Sequence, residues 1–244
     1  MPTKVALAGL TVATLALAGC QGTTTSATQP PAAPAASSVP AGNGLAALSA
    51  DEILKRATAT LRQEPFRAAG SMAQDAQQTD VDLKVDGKDF VGSMTMGKAK
   101  VDLLAVGGKK FLRANEAFWV LSTNAKQGKV MAQIVSNRWI SGAEKDKSFA
   151  ELFSVGSVDE LLKPTGSLSK GEEKEIDGVP AIALKDSGDP DSALYIATTG
   201  EPRPLQIVGK GGSAMAFTAF GKKFDELVKP AADQIIDLGK LTGK

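Results

Sequence analysis

Glycine-bearing turns recur at regular spacing in the first half of this chain, at Asp86-Gly87-Lys88, Gly97-Lys98 and Gly107-Gly108, and they dictate its layout. Short strands separated by such turns make an antiparallel meander. The residues between the turns agree with this. Val81, Leu83 and Val85 alternate with Asp80, Asp82, Lys84 and Asp86, a period of two that marks a strand with one dry face. The same reasoning predicts strands over residues 90–96, 99–106, 109–114 and 118–121.

Helical signals flank this sheet. Ser49-Ala-Asp-Glu52 has the spacing of a capping box, with Ser49 as N-cap and Glu52 reaching back. Ile53, Leu54, Ala57 and Leu61 then recur at helical spacing opposite Lys55, Arg56 and Arg62, predicting an amphipathic helix that ends near Pro65. Further on, Val130, Met131, Ile134 and Val135 share one helix face between Asn124 and Arg138. Ser157-Val-Asp-Glu160 is a second capping box before Leu161, Leu162 and Pro164. Strand signals resume at 172–176, turn at Asp177-Gly178 into 181–185, and return at 193–198, 204–209 and 213–220, the last two joined by Lys210-Gly211-Gly212. Because sequential elements usually pair, the expected fold is α+β: one strongly curved antiparallel sheet, a half-barrel, with helices packed on its concave side.

Absences narrow the chemistry. The chain has no histidine, which removes the commonest general base and metal ligand. Its one cysteine, Cys20, lies near the N-terminus, so disulfides, zinc–thiolate sites and catalytic thiols are excluded from the rest. Lys+Arg number 28 against 27 Asp+Glu. Nothing here forms the basic stripe a nucleic-acid partner requires. Aromatic residues are 5 %, so the interior is built from Ala, Val, Leu, Ile and Met, an adaptable rather than a rigid lining.

Residues 1–19 read as a secretion signal. Lys4 precedes an apolar run from Val5 to Ala18, shorter than the roughly 20 residues a membrane-spanning helix needs. The run ends in Leu17-Ala18-Gly19-Cys20, which resembles the lipobox of bacterial lipoproteins. The resemblance implies cleavage before Cys20, a diacylglyceryl group on its sulfur, and a mature protein anchored on the extracytoplasmic face of the cell membrane. Two or more acyl chains are needed for stable anchoring. Residues 20–44 add Gln, Gly, Thr, Ser, Ala, Pro and Asn almost exclusively, a composition unable to bury enough apolar surface to order itself. They are expected to act as a tether spanning roughly 25–30 Å. Residues 45–244 then form a single domain.

Three short strings invite catalytic or ligand-binding readings and yield bland ones. Ser167-Leu-Ser-Lys170 matches the S-x-x-K of penicillin-binding enzymes, but it precedes a strand and lacks the companion motifs. Asp186-Ser-Gly-Asp189-Pro-Asp191 could offer oxygens to calcium yet lacks the EF-hand spacing, and its residues are those of an ordinary turn. Gly209-Lys210-Gly211-Gly212 is a hairpin turn, not a phosphate loop. No catalytic residue, metal ligand or cofactor is assigned.

Across 45–235 the chain resembles the mycobacterial LppX/LprG-type lipoproteins, whose domain has the LolA-like half-barrel fold. Three stretches carry the resemblance. The first is the helix of residues 48–63 with the following strand at 66–72. The second runs from Gly92-Ser-Met-Thr-Met96 through Val101-Asp-Leu-Leu-Ala-Val106 to Phe111-Leu-Arg-Ala-Asn115 and Trp119. The third runs from Leu194-Tyr-Ile-Ala-Thr-Thr-Gly-Glu-Pro202 through Pro204-Leu-Gln-Ile207 and 215–220 to Gly221-Lys222 and Pro230. The central section, 124–170, departs from the pattern.

The resemblance implies a membrane-anchored actinobacterial carrier, not an enzyme. It would hold an acylated lipid or glycolipid between sheet and helices and move it across the envelope, with an envelope transporter as a candidate partner. Met94, Met96, Val101, Leu103, Leu194, Ile196, Leu205 and Ile207 are the residues whose apolar stripes either line that cavity or form a dry core. Trp119 and Trp139 are open between rim, packing and ligand contact. The alternative is an envelope sensor or protein-interaction module that uses the fold without transferring lipid.

Overall fold

The computed structural model describes residues 42–74 and 77–242. The signal, Cys20 and most of the tether lie outside the described residues. Among the described residues, no helix is long and apolar enough to cross a membrane.

Helix α1, Ala50–Gln63, begins where Ser49 accepts a hydrogen bond from the Glu52 amide. Glu52 itself does not reach back; its carboxylate pairs along the helix with Lys55 and Arg56. Ile53, Ala57 and Leu61 form the buried face, each with no exposure, and full burial of a large aliphatic side chain contributes about 1.5–3 kcal/mol. The strands that follow are β1 (Phe66–Gln74), β2 (Gln77–Asp86), β3 (Asp89–Met96), β4 (Ala99–Val106) and β5 (Lys109–Ala114).

Residues 118–121, expected as a strand, are helical. They lie in α2, Glu116–Ser122, because the Asn115 side chain caps the Phe118 amide and Glu116 sits in the first turn. That turn of helix buries Phe118 and Trp119 together, which a strand would send to opposite faces. Helix α3, Ala125–Val135, is capped by Asn124 as the sequence indicates. Its Gly128 lies so close to the backbone of Val120 that a Cβ there would overlap it. Val135 is buried, whereas Val130 and Ile134 are 50 % and 47 % exposed.

The chain continues through β6 (Trp139–Ser141), α4 (Lys147–Ala150), a 3₁₀ segment (Glu151–Gly156) and α5 (Val158–Leu161). Ser157 precedes α5 without a side-chain cap. The second half supplies β7 (Leu168–Ile176), β8 (Val179–Asp186), β9 (Asp189–Ala197), β10 (Pro204–Val208) and β11 (Ala214–Thr218), then β12 (Ile235–Asp237) and α6 (Leu238–Thr242). The β7–β8 hairpin turns through Asp177 and Gly178 at φ 50° and 79°, the left-handed pair a tight hairpin needs.

Among the described residues, twelve strands form one mostly antiparallel sheet in the order β12-β6-β5-β4-β3-β2-β1-β11-β10-β9-β8-β7. The two meanders join where β1 pairs with β11, Ala68 opposite Phe217 and Gly70 opposite Met215. Gly70 permits this join: a Cβ would come within 2.6 Å of the Met215 Cα. Among the described residues, only β12 on β6 is parallel. To reach it, the segment between β11 and β12 crosses the outer face, where Glu226 pairs with Lys84 and the Lys84 ammonium lies 5.8 Å from the Phe224 ring centre.

Directly opposed residues share a face, so the register defines the other, helix-bearing side. It runs through Phe66, Val85 and Phe90, and through Val81, Met94 and Val101. The largest buried cluster unites these strands with Leu61 of α1, Phe118, Trp119 and Val135 of α2 and α3, and Phe153, Val158 and Leu162. A second cluster sets Leu45, Ile53 and Ala57 on Ile182, Leu184 and Ile196. Asn43 donates from its backbone to Thr198 O at 2.8 Å and from its side chain to Ala197 O and Gly200 O at 3.0 and 3.1 Å.

Candidate functional site

Aromatic side chains cluster on the helix-bearing face at one end of the strands, where Phe66 meets Phe217 at 6.0 Å and Phe90 meets Phe153 edge-on at 6.4 Å. Toward the other end the residues are unbranched or aliphatic, and the packing is incomplete. A cavity of about 500 Å³ opens there, inside the range typical of small-molecule sites. Met72 of β1, Val81 and Leu83 of β2, Ile207 of β10 and Met215 of β11 form its floor, while Val155 and Leu161 come from the segment above.

The mouth is polar. Ser154, Glu160, Asp189, Ser192, Lys210 and Ser213 surround it, and Met72 reaches from the floor to solvent, 40 % exposed. Ser213 is held from both sides, accepting from the Ala73 amide and donating to Lys210 O, each at 2.8 Å. The Lys210-Gly211-Gly212 turn thus serves as a hairpin at the rim, with Gly211 and Gly212 at φ 67° and 80°. A smaller void of about 100 Å³ adjoins the first, sharing Leu161, Ser192 and Ile207 and reaching Leu54 of α1, Leu184 and Leu194. An apolar interior beneath a polar mouth can shelter hydrocarbon from water while a head group remains solvated.

The apolar stripes of the sequence divide among several places. Ile207 lines both voids and Leu194 lines the smaller one. Val101, Leu103 and Ile196 are fully buried in the two core clusters, and Met94 packs against the larger. Met96 is half-buried at the end of β3, opposite Ala99. Leu205 points the other way. A bulge between Pro204 and Gln206 breaks the alternation of β10, so Leu205 packs on the outer face with Ala181, Ala183, Ala193 and Tyr195. Met72, Leu161 and Met215 are cavity residues that periodicity did not single out, because it identifies a dry face but not what covers it.

The remaining motifs take structural roles. Trp119 is a core residue, edge-on to Phe118 at 5.4 Å and Phe149 at 5.9 Å. Trp139 lies on the outer face, where the Arg113 guanidinium stacks 4.6 Å from its ring centre and is bound by Asp102 at 2.9 and 3.1 Å. Ser167 contacts Ser187 at 3.0 Å, and Lys170 donates to Ala46 O at 2.8 Å. The Asp186 carboxylate receives the amides of Thr165 and Gly188 at 2.6 and 2.9 Å, hydrogen bonds that hold its pKa below the ordinary aspartate range. Among the described residues, no group of three or more His, Cys, Asp or Glu is placed to hold a metal ion.

No protein-family model matches the chain, and no curated protein matches it. Among solved structures, an uncharacterised conserved protein of Thermus thermophilus is similar at 13 % identity and a TM-score of 0.43, covering 77 % of this chain and 98 % of that one. MucB of the Pseudomonas aeruginosa MucA/MucB complex is similar at 14 % identity and a TM-score of 0.38, covering 74 % of this chain and 61 % of that one. A further structure, MucB in complex with MucA(peri), gives 14 % identity and a TM-score of 0.35, covering 76 % of this chain and 58 % of that one.

Proposed function

We propose that the domain is a lipid carrier of the cell envelope, sheltering the acyl part of a lipid or glycolipid between its sheet and helices. In this reading the sheet is a LolA-like half-barrel. Residues 1–19 are a cleaved signal, Cys20 bears the anchor on the extracytoplasmic face, and an envelope transporter loads or unloads the cargo. The observation that carries the reading is the cavity of about 500 Å³ floored by Met72, Val81, Leu83, Ile207 and Met215. It is far larger than a few buried waters require. Its methionines adapt to chains of varied length, and no bond chemistry is invoked.

The test is mass spectrometry of organic extracts from the full chain purified from its native host, beside Ile207→Trp and Met72→Trp variants of unchanged circular dichroism. The expected result is a stoichiometric acylated species on the wild type that the cavity-filling variants lack. Equal lipid on all three, or none on any, would overturn the carrier reading.

A second reading is favoured by Leu121, Val130 and Ile134, which are 59 %, 50 % and 47 % exposed on α2 and α3. Such residues suit a sensor that docks a protein partner. A stable co-purifying protein, lost on Ile134→Glu, would favour it.

A further inference from the structure

A second cavity, of about 560 Å³, lies at the opposite end of the strands. The segment that roofs the first cavity also walls this one. Val155 and Leu161 face the first, whereas Phe153, Gly156, Val158 and Asp159 line the second. Its floor is apolar, built on Phe90, Phe153 and Val158. Its rim differs in kind from that of the first, with cations arriving from three separate elements: Arg62 at the end of α1, Lys88 in the β2–β3 turn, and Lys110 in β5.

The charge is not balanced locally. Asp159 is the only carboxylate among the lining residues, and it pairs with Arg62. Asp89 of the neighbouring turn accepts the Gly107 amide at 3.1 Å. Lys110 lies 5.3 Å above the Phe153 ring centre, and Lys88 makes no ion pair among the described residues. Two exposed ammonium groups therefore flank an apolar cleft without an opposing carboxylate, an arrangement that attracts an anion attached to hydrocarbon.

The first described residues lie near this cleft's end of the sheet. Residues 42–43 join the domain at the same end of the strands, where Asn43 binds Thr198 O at 2.8 Å. The turn after β9 that receives them also contains Arg203, whose guanidinium binds Glu64 at 2.6 and 2.8 Å, two residues beyond Arg62.

We propose that this cleft is a head-group site for a phosphate-bearing anionic lipid, at which the domain engages the membrane. It extends the carrier reading but stands on a different cavity, so each can fail alone.

The test uses the full chain carrying Cys20→Ala, which acquires no lipid of its own. It is titrated by calorimetry with dihexanoyl phosphatidylglycerol, dihexanoyl phosphatidylcholine and inorganic phosphate, the two lipids below their micelle-forming concentrations. Phosphatidylglycerol is expected to bind about ten-fold more tightly than phosphatidylcholine. The double substitution Lys88→Gln/Lys110→Gln, at exposed positions where replacements cost little stability, is expected to remove that preference and leave phosphatidylcholine unchanged. Ile207→Trp in the first cavity is expected to retain it. Equal affinity for the two lipids, or a preference that survives the double substitution, would overturn the proposal. Inorganic phosphate binding as tightly as phosphatidylglycerol would also overturn it, since the site would then be one for free anions. If the preference appears as expected while cavity-filling variants keep their co-purified cargo, the carrier reading fails and the head-group site stands.

Discussion

The ring of Phe90 lies against Gly156, in the space that a Cβ at residue 156 would occupy. This contact seats the segment separating the two cavities on the sheet. Gly156→Ala must displace either the ring or the segment, and overpacking of this kind costs about 1–3 kcal/mol. A lower urea midpoint with an unchanged slope is expected. A variant as stable as the wild type would mean that the segment is only loosely seated.

Gly70 holds the two halves of the sheet together. A Cβ there meets the backbone of Met215 and Ala214, which cannot rotate away as a side chain can. Gly70→Ala is therefore expected to cost about 3 kcal/mol. Amide exchange should rise in β1, β10 and β11 before β3 and β4. Uniformly raised exchange would show that the join is not the weak point.

Arg203 ties the β9–β10 turn to the end of α1 through its two-point pair with Glu64, and its guanidinium also lies 4.9 Å from the Phe220 ring centre. The Arg203 side chain is 38 % exposed, so solvent screening limits its worth to about 1 kcal/mol. In a double-mutant cycle, Arg203→Ala and Glu64→Gln should show a coupling of that size. No coupling would mark the pair as decorative.

Acid should weaken the outer face. The hydrogen bonds from Arg67 to Asp82, both 2.8 Å, hold the Asp82 carboxyl below its ordinary value of 3.8, against the opposing effect of burial. Lys84 likewise lowers Glu226 on the crossing segment. A depressed carboxyl stabilises the fold above its unfolded pKa, and that contribution disappears as pH falls through the folded value. Urea unfolding between pH 6 and pH 2 should show Asp82→Asn losing stability relative to wild type at pH 6, with the difference vanishing at pH 2. A difference independent of pH would assign the effect to packing.

Local chemistry alone determined much of this protein. The turns at Gly87, Gly97 and Gly107, with period-two alternation between them, set the limits of β3, β4 and β5, and Ser49 and Asn124 set the starts of α1 and α3. These signals are legible because turn and cap preferences act within a few residues. Tertiary structure decided the rest. Asn115 and the joint burial of Phe118 and Trp119 made a helix where alternation suggested a strand, and a single bulge turned Leu205 away from Ile207. The pairing of β1 with β11 and the parallel placement of β12 join residues far apart in sequence, and no local pattern encodes such partners. The same holds for the cavities: alternation says which side chains share a face, but whether that face is packed solid or left open depends on what distant segments lay over it.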